Sequence, residues 1–314
     1  MRLFRHPNNL PDEALGAVVA LGNFDGVHLG HQAVIGEAAR IARLTGRPLC
    51  VLTFEPHTRS FFHPDQPPFR LTPLRAKLHA LEALGVDQVM VMAFDQPFSQ
   101  MSPEDFAVKV LSGGLHITHA VAGANFGYGH KHAGTMETLV EAGGRLGFGV
   151  SIVAPVRGPD GVIYSATAIR KLVVAGDPRR AASLLGRPLE IDGHVISGDR
   201  RGRLLGFPTA NIKLGEYLRP AYGIYAIRAR LDRPGATWFD GVANLGIRPM
   251  WRTEEPVLEA HLFKFSEDIY GQVLRVQLFD RLRGEARFES VDALVEQVER
   301  DKAAARRVLE ALDR

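Results

Sequence analysis

Residues 17–31 read AVVALGNFDGVHLGH, and the fold of the first half of the chain turns on how this stretch is parsed. Ala17–Leu21 is an apolar run too short for a helix, so it reads as a short buried strand. Gly22 and Gly26 break that run. From His28 onward Val34, Ile35, Ala38, Ala39 and Ile41 recur at helical spacing. A strand, a glycine-bearing loop and a helix therefore follow one another, with His28 and His31 in the first turn of the helix. Free backbone N–H groups and the helix dipole make such an end attractive to phosphate. A spacing of three puts both imidazoles on one face. Two histidines so spaced are also two-thirds of a zinc site, but no third ligand stands nearby and the chain has one cysteine, Cys50. Capping and packing of the helix end is the plainer alternative.

The pattern repeats downstream. Pro48–Phe54 (PLCVLTF), Asp87–Phe94 (DQVMVMAF), His119–Ala124 (HAVAGA) and Gly149–Val156 (GVSIVAPV) read as further strands. Between them, Leu71–Gly85 reads as a helix with Leu74, Leu78, Leu81 and Leu84 on one stripe. Ser102, Pro103 and Asp105 mark the start of another helix, running through Leu111. Met136–Leu146 gives one more. Strands alternating with helices argue for a parallel sheet covered on both faces. After the second strand come Glu55–His57 and then Phe61 and Phe62, rings that stack a flat heterocycle or pack a loop. GGRLGFG at Gly143–Gly149 precedes a strand instead of following one, so it is no dinucleotide fingerprint, and no Walker loop exists.

From His194 the sequence changes character. GHVISG, YGIYAIRARL, WFDGVANLG, VLEAHLFKF and QVLRVQLFD are short, turn-separated and rich in Val, Ile, Tyr and Phe. They predict a small antiparallel barrel or sandwich. The chain closes with a helix over Val291–Leu312, capped by Ser290. Its stripe of Val291, Leu294, Val295, Val298, Ala305, Val308 and Leu312 reads as core packing against the barrel. Within GDRRGRLLGFPTANI, Gly198, Gly202 and Gly206 allow a basic loop fit to cover phosphates. Thr209 and Asn211 lie two apart and point the same way if extended. They present hard oxygens of the kind Mg²⁺ accepts beside phosphates and water; a polar turn is the bland alternative.

The bulk numbers fit two domains: 314 residues, 46% apolar, 23% charged and a formal net charge of +3. Charge is spread evenly, with no basic tail, so the pI of about 9.1 does not point to nucleic acid. A single cysteine suits a reducing cytoplasm. The N-terminus lacks a signal-peptide core, and no run reaches a membrane span. Nothing in the pattern sets an oligomeric state.

GNFDGVHLGH resembles the HxGH motif of the nucleotidylyltransferase superfamily, and most closely that of the bacterial bifunctional riboflavin kinase/FMN adenylyltransferase (FAD synthetase) family. Further motifs follow in the family's order and cover essentially the whole chain. TFEPHT resembles the family's TFEPHP, with Thr58 for the second proline. NFGYGHKHAG resembles a second phosphate- and flavin-binding segment, with Asn125 at its polar position and Tyr128 for the usual Phe. YSATAIR at Tyr164–Arg170 resembles SSTxIR, with Ala166 for the second serine. GRLLGFPTANI, Asn244 in GVANLGIRP, Glu259 in LEAHLF, and Arg281, Arg283 and Phe288 resemble riboflavin kinase segments.

The resemblance implies a Rossmann-like nucleotidylyltransferase domain over 1–184 and a riboflavin kinase β-barrel with a terminal helix over 185–314. It implies small-molecule substrates, ATP, riboflavin and FMN, with FAD as product and Mg²⁺ as the metal. It places His28, His31, Asn125 and Arg170 in adenylyl transfer and Glu259 as the kinase's general base. Nucleotide or flavin contacts are implied for Gly22, Asn23, Phe24, Asp25, Gly26, Phe62, Tyr128, Ser165 and Thr167. Gly198, Gly202, Arg203, Pro208, Asn244 and Arg281 are implied for the barrel site, with Thr209 and Asn211 on the metal. The rivals are a different adenylyl- or cytidylyltransferase whose barrel is no kinase, and a nucleic-acid-binding barrel on a degenerate transferase.

Overall fold

A computed structural model describes residues 1–8, 10–198, 206–247 and 255–313. It divides into two compact units: residues 1–66 with 77–165, and residues 67–76 with 166–314. Residues 166–184, which the sequence reading gave to the first domain, group with the second unit.

The first unit is built on strands β1 (Arg2–Phe4), β2 (Val18–Leu21), β3 (Leu49–Glu55), β4 (Gln88–Ala93), β5 (His119–Gly123) and β6 (Gly149–Val153). All pair in parallel, in the order β1-β4-β3-β2-β5-β6. β1 was not foreseen: its three residues, RLF, are too few to carry a period. Helices α1 (Leu29–Thr45), α2 (Thr58–Phe62), α3 (Leu74–Glu82), α4 (Gln96–Ser99), α5 (Pro103–Asp105) and α6 (Met136–Leu146) accompany the sheet. Buried on both faces, its central strands are continuous apolar runs, as β2 is over VVAL.

α3 is shorter than expected and buries a different face. Ala76, Lys77, Ala80 and Leu81 are inside, whereas Leu84 is exposed. A leucine spacing cannot reveal that a lysine holds the buried stripe. The helix opened by Ser102, whose hydroxyl accepts from the Asp105 amide at 3.0 Å, becomes π-helical over Phe106–Ser112. Its buried Phe106, Val110 and Leu111 join the core beneath β2, β3 and β4.

The second unit carries α7 (Ala166–Ala175), α8 (Pro178–Leu185) and a closed barrel. Its strands are β7 (Leu189–Ile196), β8 (Ala210–Lys213), β9 (Gly223–Leu231), β10 (Phe239–Gly246), β11 (Val257–Leu262) and β12 (Val273–Arg283), in the order β10-β11-β8-β7-β12-β9. Every pairing is antiparallel. Alternation is clean on β11, where Leu258, Ala260 and Leu262 are buried and Glu259 and His261 take the other face. Helix α9 (Val291–Glu310) follows, with the Ser290 hydroxyl accepting from the Ala293 amide at 3.1 Å.

The terminal helix corrects its expected stripe. Val291 and Leu312 are exposed, while Asp301, Ala305 and Leu309 are buried. Asp301 is inside because it takes the Arg283 guanidinium in a two-pronged ion pair, with Nη2 at 2.7 Å and Nε at 2.9 Å. An apolar-only reading skips such a position.

Candidate functional site

In the first unit the strand order reverses beside β2. The chain runs from β2 to β3 on one side and from β5 to β6 on the other. Open α/β sheets bind ligands beyond the carboxyl ends of strands at such a switch point. The loops leaving β2 and β5 there carry GNFDG and NFGYG.

The β2 loop is wound tightly. Gly26 has φ of 85°, and Phe24 and Val27 also sit at positive φ, 48° and 42°. Positive φ at two non-glycine residues is backbone strain, held here because Phe24 and Val27 are each 1% exposed in the core. The His28 ring caps α1: its Nδ1 accepts from the His31 amide at 3.3 Å. To accept there Nδ1 carries no proton, which places the ring proton of a neutral imidazole on Nε2. The His31 ring stacks on that of His28, with centroids 3.6 Å apart and planes at 20°. Gly30 makes this possible, since a Cβ there would stand 2.8 Å from the Tyr164 carbonyl oxygen and 3.1 Å from His28 Nδ1. His28 and His31 thus flank the helix end as expected, with His28 as the cap itself.

Beneath the loop runs a polar chain that the sequence gave no sign of. Lys77, fully buried, donates from Nζ to the Thr53 hydroxyl at 3.0 Å and lies 3.7 Å from Glu55. Thr53 in turn donates to the Asn23 carbonyl at 3.0 Å. The Asn23 amide donates to Thr58 Oγ1 at 3.2 Å, so the residue standing where the family has proline holds the loop by a hydrogen bond.

Several expected ligand contacts are placed otherwise. Phe24 and Asp25 are buried, and the Phe24 ring backs His31 at 5.1 Å; both hold the loop from inside. Tyr128 is also buried, packed against Phe106 and Phe126, with its hydroxyl 3.1 Å from that of Thr138. The ring expected as a stacking face is therefore core, and Phe126 is the more exposed member of the pair. Asn125 is exposed at the head of its loop, and Phe62 is 55% exposed, with Phe61 and Phe94 edge-on behind it. Ser165 ends the first unit. Thr167, exposed, and Arg170 lie on α7 of the second, where Arg170 Nε donates to the Phe69 carbonyl at 2.9 Å.

In the barrel, register does the assembling. Glu259 on β11 pairs with Asn211 on β8 and with Asn244 on β10. Directly opposed residues share a face, so the three polar side chains form one row. The row continues through Ile224 on β9 to Arg283 on β12. All five line a cavity of about 780 Å³, as do Gly198, Pro208 and Thr209. That volume suits a substrate the size of a flavin or nucleotide.

Two register shifts on β12, between Leu278 and Asp280 and between Arg281 and Arg283, decide which arginine joins the row. They bring Arg283 opposite Ile224. Arg281 instead donates twice to the Tyr222 carbonyl, at 3.1 and 2.6 Å, and does not line the cavity. Each shift sets an extra residue against the partner strand and resets which side chains face the cavity, and its position depends on pairing with β9 that the strand's own pattern does not give. Leu294, Val298 and Asp301 bring α9 to the cavity as well, so part of the stripe read as core faces the site. Gly202 and Arg203 lie outside the described residues. Among the described residues no three His, Cys, Asp or Glu side chains cluster as a metal site, and no helix is long and apolar enough to cross a membrane.

A parallel sheet with an imidazole-capped helix at its switch point, followed by a barrel with a Thr, Asn and Glu cavity, defines a two-domain nucleotide-dependent transferase. Comparison with known proteins gives the particular family. The FAD synthetase family model matches residues 10–167 and the riboflavin kinase model residues 185–309. The chain is 40% identical over 307 residues to the bifunctional riboflavin kinase/FMN adenylyltransferase of Bacillus subtilis strain 168, covering 96% of this chain and 95% of that one. It is 37% identical over 309 residues to the protein of that name from Escherichia coli K12, covering 98% and 97%. A crystal structure described as a macrolide-efflux protein from Streptococcus pneumoniae shares the fold, with a TM-score of 0.84, 30% identity and coverage of 97% and 98%. The chain belongs to the bifunctional riboflavin kinase/FMN adenylyltransferase family.

Proposed function

We propose that the family's two reactions are divided between the units, with the barrel cavity as the kinase centre and the switch-point loops as the adenylyl-transfer centre. The chain is a bifunctional enzyme of FAD biosynthesis. It phosphorylates riboflavin to FMN with ATP and transfers AMP from a second ATP to FMN, giving FAD and pyrophosphate.

The observation that carries the division is the Asn211–Glu259–Asn244 row facing one cavity. The 5′-hydroxyl of riboflavin must lose its proton as it attacks the γ-phosphate, and Glu259 is the carboxylate in that row. Thr209 and Asn211 supply neutral hard oxygens, which fits Mg²⁺: the ion takes few protein ligands and completes its shell from phosphate and water. Asn211 is buried, 4% exposed, and is paired in the sheet with Glu259. When bound there, the ion would neutralise charge on the transferred phosphate.

In adenylyl transfer the FMN phosphate attacks the α-phosphorus in line, with no covalent intermediate. The enzyme holds two anions together and stabilises developing charge. His28 and His31 at the helix end, with Asn23 and Asn125 on the two loops, suit that work in the first unit. Ser165, the last residue of that unit, joins this reading through its motif. We place the enzyme in the cytoplasm, because a single cysteine, Cys50, fits a reducing compartment.

Incubation with riboflavin, ATP and Mg²⁺, followed by chromatographic separation of flavins, tests the whole reading. FMN and then FAD are expected. FAD only from supplied FMN would favour a transferase with a non-kinase barrel. Salt-dependent oligonucleotide binding without flavin turnover would favour the nucleic-acid reading.

A further inference from the structure

One side chain at the barrel cavity stands just past the end of a strand pairing. β8 pairs with β11 from Val257↔Lys213 as far as Ala260↔Ala210. Beyond Ala210 the chain of β8 is no longer strand, yet the next residues back are Thr209 and Pro208. There the His261 ring takes over. Its Nδ1 donates to the Pro208 carbonyl at 2.9 Å. His261 lies two residues beyond Glu259 on β11, on the same face, and lines the same cavity. The rings of Phe207 and Phe263 meet it edge-on, at 6.4 and 5.9 Å.

We propose that His261 is a positioning residue of the kinase centre, a clamp that fixes the Pro208–Thr209 peptide and so aims the Thr209 hydroxyl into the cavity. The inference rests on the kinase reading of that cavity. Backbone pairing stops at Ala210, so β11 has no main-chain bond to hold Thr209 in place. A hydrogen bond to the carbonyl just before Thr209 restricts the torsions that set its side-chain direction. The ring is suited to permanence. Burial holds its pKa below the usual histidine range, and the Pro208 bond opposes that only in part. Neutral or protonated, Nδ1 remains a donor, so the clamp survives ordinary changes of pH. Arg306, Lys302 and Glu299 of α9 are the charged groups acting on the ring. Gly241 leaves room for the strand, since a Cβ there would stand 2.5 Å from the His261 carbonyl oxygen.

The test compares variants in the full chain, assaying both activities in each preparation. His261→Leu keeps bulk but removes the donor. FMN formation is expected to fall about 10- to 100-fold, as for a modest misplacement of a positioned group. The loss should appear in kcat and in KM for Mg-ATP, with KM for riboflavin unchanged. His261→Asn, whose amide N–H stands near the place of Nδ1, should restore most of it. His261→Ala should recover activity on adding free imidazole. His261→Leu added to Thr209→Ala should cost nothing further, because both act through one group. FAD formation from supplied FMN should be the same in all and reports that the protein is folded. An Asn variant as poor as the Leu variant, no imidazole rescue, or an additive double variant would overturn the clamp. Undiminished kinase activity in both Thr209→Ala and Glu259→Gln would instead bring down the kinase reading beneath it.

Discussion

The two candidate centres are assembled by opposite means. In the first unit a single contiguous stretch, residues 22–31, makes most of the proposed anion site: a strained turn, a capping imidazole, and a second imidazole stacked upon it. In the second unit nothing contiguous suffices. Asn211, Glu259 and Asn244 come from three strands and meet because antiparallel register sets them abreast. The first site is encoded in local backbone conformation, the second in long-range pairing. Damage to the first should therefore be local, whereas damage to the second should track any change of register.

The largest effect expected is at the base. Glu259→Ala should lower FMN formation by about 10²–10⁴-fold while FAD formation from supplied FMN continues, measured by flavin chromatography. Loss of both activities in a folded protein would erase the contrast between the units. Next is His28→Asn, which keeps a capping acceptor for α1 but removes the ring. FAD formation should fall by about 10²–10³-fold, the usual effect of losing one preorganised donor, with FMN formation intact. If His28→Asn were fully active, the ring would be a cap and nothing more.

Lys77→Met sharpens the comparison by attacking the support of the first loop without touching it. Removing one partner from a buried charged network should cost about 3 kcal/mol in unfolding free energy, read by denaturant titration. It should raise KM values of the adenylyl step only. A smaller change is expected with pH in the barrel. His261 has a lowered pKa in the fold through burial, so on acidification the unfolded chain takes up a proton first. Its contribution is present above the ordinary histidine range and lost as pH falls through the depressed one. Thermal melts at pH 7 and pH 5 should differ less in His261→Leu than in the parent. Smallest is Tyr128→Phe, which removes the hydroxyl contact with Thr138 and should cost about 1 kcal/mol, with KM for FMN unchanged.

The same contrast explains what could be read in advance. Strand, loop and helix around His28, the capping residues Ser102 and Ser290, and the existence of a barrel all follow from periodicity and local chemistry, but the first barrel strand opens at Leu189, ahead of the change read at His194. The short strand β1 carries no period, and the buried stripe of α3 depends on Lys77 finding Thr53, which lies 24 residues away. The choice of Arg283 over Arg281 depends on two register shifts against β9, which the pattern of β12 alone does not locate. Phe24, Asp25 and Tyr128 sit in motifs that mark ligand-binding loops, yet each serves the loop's interior. A motif identifies a loop's conformation, and that conformation needs buried residues as much as exposed ones.

The segment 67–76 groups with the barrel although the chain on both sides of it belongs to the first unit. The polypeptide therefore passes from one unit to the other at 66/67, 76/77 and 165/166, instead of once. No single proteolytic nick can yield two intact halves. Recombination that swaps either activity at one crossover would carry away part of its neighbour.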